Sequence, residues 1–235
     1  MSDYMDMLAA YGVTEARPGG KQMTEKLLSS YPLKEGMKVL EIGSGLGDTA
    51  ALLSKYKTDV IALDSHKKMI KKAKSRFESI ENIQWLCEDL HYANLKPKQF
   101  QAIFSESVLA FTNLNQSLPL LFEWLDSSGK LFALEPIYLG GLSNEALKQY
   151  KSFYGFNHML TEKEWNQYFS NHKFKLEDII HSEDANIGSF ETSSFPDLII
   201  DDGLDQEYVE LMEKHVKFTE DYLGYFDFAY FILKK

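Results

Sequence analysis

An apolar run, Val39-Leu40-Glu41-Ile42, leads without a linker into Gly43-Ser44-Gly45-Leu46-Gly47-Asp48. Three glycines at every second position let the chain turn sharply and leave bare backbone for a ligand to lie against. Asp48 to Tyr56 then carries Leu52, Leu53 and Tyr56 on one helical face. Strand, glycine turn and helix in that order form the opening unit of a βαβ arrangement. The spacing also excludes something. A dinucleotide fingerprint G-x-G-x-x-G starting at Gly43 needs its third glycine at position 48, where Asp48 stands.

The alternation continues to residue 135. Lys38–Ile42, Asp59–Leu63, Ile83–Cys87, Gln101–Ser105 and Lys130–Glu135 are short apolar strands. Between them, His66–Ser79 shows a buried stripe of Met69, Ile70, Ala73 and Phe77, and Asn115–Leu125 is helical with Pro119 near its first turn. Short strands separated by helices predict right-handed crossovers and a parallel sheet. The rhythm breaks at Pro136 and Gly140-Gly141. Residues 144–170 read as helical and aromatic, with a capping box at Thr161 and Glu164. Phe174–Ile180 is a sixth strand, 183–203 is irregular, Gln206–Tyr222 is an amphipathic helix and Tyr225–Leu233 is a last strand.

Further motifs follow at strand ends. Asp64 closes strand two, 19 residues beyond Gly45, where a carboxylate can accept both hydroxyls of a ribose. Ser65 and Met69 follow it; Met69 serves equally as helix core. Asp89-Leu90 follows strand three. Ser105-Glu106-Ser107 leaves strand four. Upstream stands Arg17-Pro18-Gly19-Gly20-Lys21.

The string Glu41-x-Gly43-x-Gly45-x-Gly47, with these segments in this order, resembles the class I S-adenosylmethionine (SAM) methyltransferases, as a bacterial small-molecule group. The resemblance covers residues 17–135 well and the late strands more loosely. It implies a Rossmann-like α/β fold: a seven-stranded, mostly parallel sheet with an antiparallel last strand, helices on both faces and an inserted cap. It implies one domain over 1–235, with 1–20 as an N-terminal lid and 136–224 as substrate-cap elements interleaved with strand six. The cofactor implied is SAM, with S-adenosylhomocysteine (SAH) as product. Gly43, Ser44, Gly45 and Gly47 would cradle it. Glu41 would accept from its ammonium or stand behind the groups that do, and Arg17, with Gly19 beside it, would meet its carboxylate. Asp64, Ser65 and Met69 would hold ribose and adenine, Asp89 and Leu90 the adenine edge, and Ser105 the strand-four side. Glu88 and Leu90 depart from the family's G-D-A, and no (D/N)-P-P-(Y/F) follows strand four, which disfavours methylation of DNA or protein amides. A base is needed only for an acceptor protonated at working pH; Glu106 and His158 are the candidates.

Composition narrows the partners. A formal charge of -10 disfavours nucleic acid and anionic membrane, and slightly favours a neutral or cationic small-molecule acceptor. The basic run from Lys67 to Arg76 reads as a solvated helix face. One cysteine, Cys87, and six scattered histidines give no metal-ligand pattern, so no metal is expected. No signal peptide or membrane span is read, so the expectation is a cytoplasmic monomer or homodimer. The aromatic stretch 150–169 either lines the acceptor pocket or forms a second core. Methyl transfer to a small molecule is the leading reading. A SAM-binding sensor without catalysis, and an NAD(P)-dependent oxidoreductase, are the alternatives.

Overall fold

A computed structural model describes residues 3–185, 197–200 and 203–235. Seven strands form one sheet in the order β3-β2-β1-β4-β5-β7-β6: β1 (Lys38–Ile42), β2 (Asp59–Asp64), β3 (Ile83–Cys87), β4 (Phe100–Glu106), β5 (Leu125–Tyr138), β6 (Lys175–His181) and β7 (Phe226–Lys234). β1 lies inside the sheet, Val39 opposite Val60 of β2 and Ala102 of β4, both in parallel register. Four of its five residues are buried, which is why it reads as a continuous apolar run rather than an alternating one. β7 inserts antiparallel between β5 and β6, so the late pair is adjacent but is no simple hairpin.

Among the described residues, eight helices accompany the sheet: α1 (Asp3–Tyr11), α2 (Gly20–Ser30), α3 (Asp48–Ser54), α4 (Lys67–Arg76), α5 (Leu114–Trp124), α6 (Asn144–Tyr154), α7 (Glu162–Asn171) and α8 (Gln206–Asp221). On one face α5 and α7 bury Leu118, Trp124, Trp165 and Phe169; on the other α2 and α3 bury Met23, Leu27 and Leu53 beneath Tyr230. Fully burying one such side chain contributes about 1.5–3 kcal/mol, so these two layers dominate the stability of the sheet.

Several boundaries differ from the sequence expectation for local reasons. α5 keeps Pro119 in its interior, losing one main-chain bond while its face seats Leu114, Leu118 and Leu121 in the core. The helical stretch 144–170 divides at Gly155, whose left-handed backbone closes α6. The capping box then opens α7, Thr161 Oγ accepting from Glu164 N–H while Glu164 accepts from Thr161 N–H. α1 rests on a third apolar cluster with Leu46 and Met69, and Lys72 of α4 donates to the carbonyls of Ala9 and Ala10 at its end. Of the stretch 183–203 read as irregular, residues 186–196 and 201–202 lie outside the described residues. Among those described, no helix is long and apolar enough to cross a membrane.

Candidate active site

The parallel strands β1 and β4 send their following chain in opposite directions around the sheet, which opens a crevice at their C-terminal ends. A cleft of about 560 Å3 lies there. A shallower depression of about 530 Å3 at the opposite strand ends, by Lys38 and Lys96, lacks the glycine turn and the strand-end carboxylates.

The cleft floor is the glycine turn. Gly43 has φ +66°, and a Cβ there would stand 2.3 Å from the Val108 side chain, so only glycine lets β1 and the chain after β4 approach this closely. A Cβ on Gly45 would meet open space, because this residue faces the cavity. Its N–H donates to Asp64 Oδ2 at 2.8 Å, and His66 N–H donates to Asp64 Oδ1 at 2.7 Å. Burial pushes the Asp64 carboxyl up, and the two N–H groups pull it back. Ser65, Met69, Asp89 and Leu90 complete this side. Asp89 Oδ1 accepts from His91 N–H at 2.8 Å and meets His91 Nδ1 at 2.9 Å. Over the floor, α1 contributes Met5 and Leu8, and Asp6 ties it down through a 3.0 Å contact with His66 Nε2.

Behind the floor lies a buried polar hub. Glu106 accepts from Arg17 Nε at 2.9 Å, Thr24 Oγ at 2.7 Å, Thr49 Oγ at 2.5 Å and the Tyr230 hydroxyl. Arg17, expected at a ligand carboxylate, is instead held by Glu106 and Thr24, its side chain 8% exposed. Glu106 reaches the cleft edge, yet both its oxygens are engaged. Glu41 is buried behind the turn with Oε2 unpartnered; burial and then nearby Glu106 push its carboxyl well above the usual range, against Arg17. Ser44 and Ser105 are buried, Ser105 Oγ donating to Glu135 at 3.3 Å. Gly19 packs on Phe228 and Met23, away from the cleft, and Gly47 begins α3 beneath Trp85.

The wall is the chain after β4, a 3-10 turn at Leu109–Phe111. Glu135, fully buried at the sheet's edge of this turn, accepts from the N–H groups of Val108 at 3.3 Å, Leu109 at 2.9 Å and Ala110 at 3.1 Å. Burial pushes its carboxyl up to about 8 despite these donors. Ser107, Phe111, Thr112 and Asn113 face the cavity from this turn, and Asn157 from beyond α6.

Two expectations change here. The His158 ring lies against Tyr168, 5.8 Å between centroids, and His158 is not among the residues lining the cleft; its main-chain N–H donates to Ala110 O. The aromatic rings of 150–169 do not line it either. Tyr150 stacks on Phe226 at 4.2 Å and Phe153 on Phe218 at 4.4 Å, while Trp165 and Phe169 enter the main core. Only Gly155 and Asn157 of that stretch reach the cavity. Sequence reasoning passed over Glu135, although a carboxylate ending an apolar strand is the same signal that singled out Glu41 and Asp64. Tyr230 and Asn157 carried no such signal.

The residues fit SAM on two counts, the open turn at Gly45 and the cavity-facing Asp64, and the buried Glu41 behind the turn keeps Oε2 unpartnered. A dinucleotide fits less well, since Asp48 is fixed by Arg76 through contacts of 2.7 and 2.9 Å.

Similarity to known proteins agrees. Residues 39–129 match the family model described as "Methyltransferase domain". The "uncharacterized methyltransferase YodH" of Bacillus subtilis (strain 168) is 29% identical over 237 residues, covering 100% of both chains. A phosphoethanolamine N-methyltransferase of Plasmodium falciparum (isolate 3D7) is 28% identical over 125 residues, 52% of this chain and 47% of that one. The chain thus spans about half the length of that relative. Phosphoethanolamine N-methyltransferase 2 of Haemonchus contortus, solved with phosphomonomethylethanolamine and S-adenosylhomocysteine, shares the fold with a TM-score of 0.76 at 16% identity, over 99% of this chain and 58% of its own. A SAM-dependent methyltransferase of Geobacter sulfurreducens, solved with S-adenosylhomocysteine, gives 0.72 at 15% identity over 97% and 95%. Strand order, glycine turn, strand-end carboxylates and these likenesses converge on one similarity: the chain has the fold of the class I SAM-dependent methyltransferases, and its residues 39–129 match their methyltransferase domain.

Proposed function

We propose that this methyltransferase modifies a small molecule held between the Ser107–Asn113 wall and the glycine floor. The observation that carries this reading is the joining of both surfaces in one cleft of about 560 Å3, a size suited to a cofactor and a compact acceptor. SAM supplies a methyl already activated on its sulfur. The chain's own work is then to bind, orient and exclude water, and alignment alone is worth about 7–11 kcal/mol of barrier.

In this reading Asp64 accepts from the ribose hydroxyls, Gly43, Ser44, Gly45 and Gly47 offer backbone to the methionyl part, and Glu41 takes the ammonium. Asp89, Leu90, Ser65 and Met69 enclose the adenine. Glu106 holds residues 17–24 against β4 and β7 rather than acting as a base, since four donors already surround it. Residues 1–20 act as a lid, with Met5 and Leu8 shielding the cavity from water. Relatives named for phosphoethanolamine act on a compact polar molecule, and the scale of this cleft suits that size class.

Calorimetry with SAH, with NAD as control, tests the cofactor; transfer from methyl-labelled SAM to small molecules tests the acceptor class. Micromolar SAH binding without NAD binding is expected. A folded protein that ignores SAH, or that labels only protein or nucleic acid, would sink the reading.

A further inference from the structure

We infer that the acceptor of this methyltransferase offers N–H or O–H donors and carries no phosphate or carboxylate in the cleft, an inference that rests on the small-molecule transfer proposed above. Two independent features point there.

The first is charge. The ionisable side chains lining the cleft are the carboxylates Asp64, Glu88, Asp89 and Glu106 and the imidazoles His66 and His91. Each imidazole already has a carboxylate beside it, Asp6 at 3.0 Å and Asp89 at 2.9 Å. Among the described residues no lysine or arginine lines the cleft, and the residues outside the description (1–2, 186–196, 201–202) include none in their sequence. Arg17, behind the floor, is paired with Glu106. An acceptor anion entering here would be desolvated among carboxylates with no lysine or arginine lining the cleft to pair with it.

The second is donor supply. Anions are also held by backbone N–H groups, but the wall directs its own elsewhere. Ser107 donates to Leu134 O, Val108, Leu109 and Ala110 to Glu135, Phe111 to Val108 O and Thr112 to Leu109 O. The start of α5 is closed too: Asn115 N–H donates to Asn113 Oδ1, and Gln116 and Ser117 donate to Asn113 O. The Thr112 hydroxyl donates to Leu109 O, and Asn157 Nδ2 donates to Phe111 O. Toward the cavity these groups keep accepting capacity on Thr112 Oγ and the Asn157 side-chain oxygen, and the donors beside them, on the Asn113 and Asn157 amides and the Ser107 hydroxyl, are uncharged side-chain groups rather than a cradle of backbone N–H. A wall with no lysine, no arginine and no free row of backbone N–H groups, set beside carboxylates, complements an amine, an ammonium or an alcohol.

An unidentified acceptor can be sorted by its charge. A deproteinised cell extract is divided by ion exchange at neutral pH into anion-retained, cation-retained and unretained pools, each offered to the purified protein with methyl-labelled SAM. SAH binding is measured in parallel. Label is expected in the cation-retained or unretained pool, with the anionic pool giving under about a tenth as much, a difference of ~1.4 kcal/mol in favour of the uncharged or cationic partner. Label mainly in the anionic pool would overturn this inference and leave small-molecule transfer standing. No label in any pool from a protein that binds SAH would overturn small-molecule transfer itself, and this inference with it.

Discussion

On the floor of the cleft, the Asp64 carboxylate lines the cavity while accepting from Gly45 N–H, whereas on the wall the six N–H groups from Ser107 to Thr112 all point back into the protein. The floor is made of strand ends, which the sheet holds rigid without further help. The wall is irregular chain and has no ladder of its own, so a single buried carboxylate, Glu135, supplies the missing acceptors. In the proposed function the difference separates two jobs: the floor recognises, and the wall shapes.

That separation can be broken most severely at Glu135. Glu135→Ala strands the buried N–H groups of Leu109 and Ala110 and is expected to cost about 3–5 kcal/mol in chemical denaturation, with SAH affinity of the folded fraction little changed. A variant of native stability would show that the wall holds itself. The same carboxyl gives a pH signature. Burial holds it at about 8 against a usual 4.5, so the folded chain keeps a proton that the unfolded chain releases in that window. Its contribution to stability is full below about 4.5 and is lost as the pH rises toward 8. Glu135→Gln should therefore show a flatter stability profile across that range than the parent; parallel profiles would exclude the linkage.

Asp64→Ala reverses the pattern. Two charge-assisted bonds to the ribose are expected to be lost, lowering SAH affinity about 10–100-fold by calorimetry, while stability falls by only about 1–2 kcal/mol because the Gly45 and His66 N–H groups lose their acceptor beside an open cavity. An unchanged affinity would remove Asp64 from the floor's recognition role. Gly43→Ala touches both regions, since its new Cβ would press on Val108 from a left-handed backbone. Both readouts should fall together, stability by about 1–3 kcal/mol; a fall in only one would mean that floor and wall move independently. The smallest expected signal is a proton. Glu41 is raised by burial and by Glu106, so an arriving ammonium should release a fraction of a proton. Calorimetry of SAH in buffers of different ionisation enthalpy measures it, and no buffer dependence would place the ammonium elsewhere.

The sequence by itself determined the parallel half of the sheet, the glycine turn and Asp64. These depend on spacing within about thirty residues: an apolar run, a turn that only glycine makes, and a carboxylate at the next strand's end. It also flagged Glu106, but with the wrong surroundings, because the groups that engage it come from 82 residues before it and 124 after it. Only the tertiary structure decided that Arg17 meets Glu106 rather than the open cleft, that the aromatic helices pack on each other, and that Glu135 organises the wall. Each of these depends on which distant segment arrives at the same place, through the insertion of β7 between β5 and β6 and the folding of α1 and α2 onto the sheet. A residue's type and local period state what it can do; the partner that takes up that capacity is set by packing across the chain.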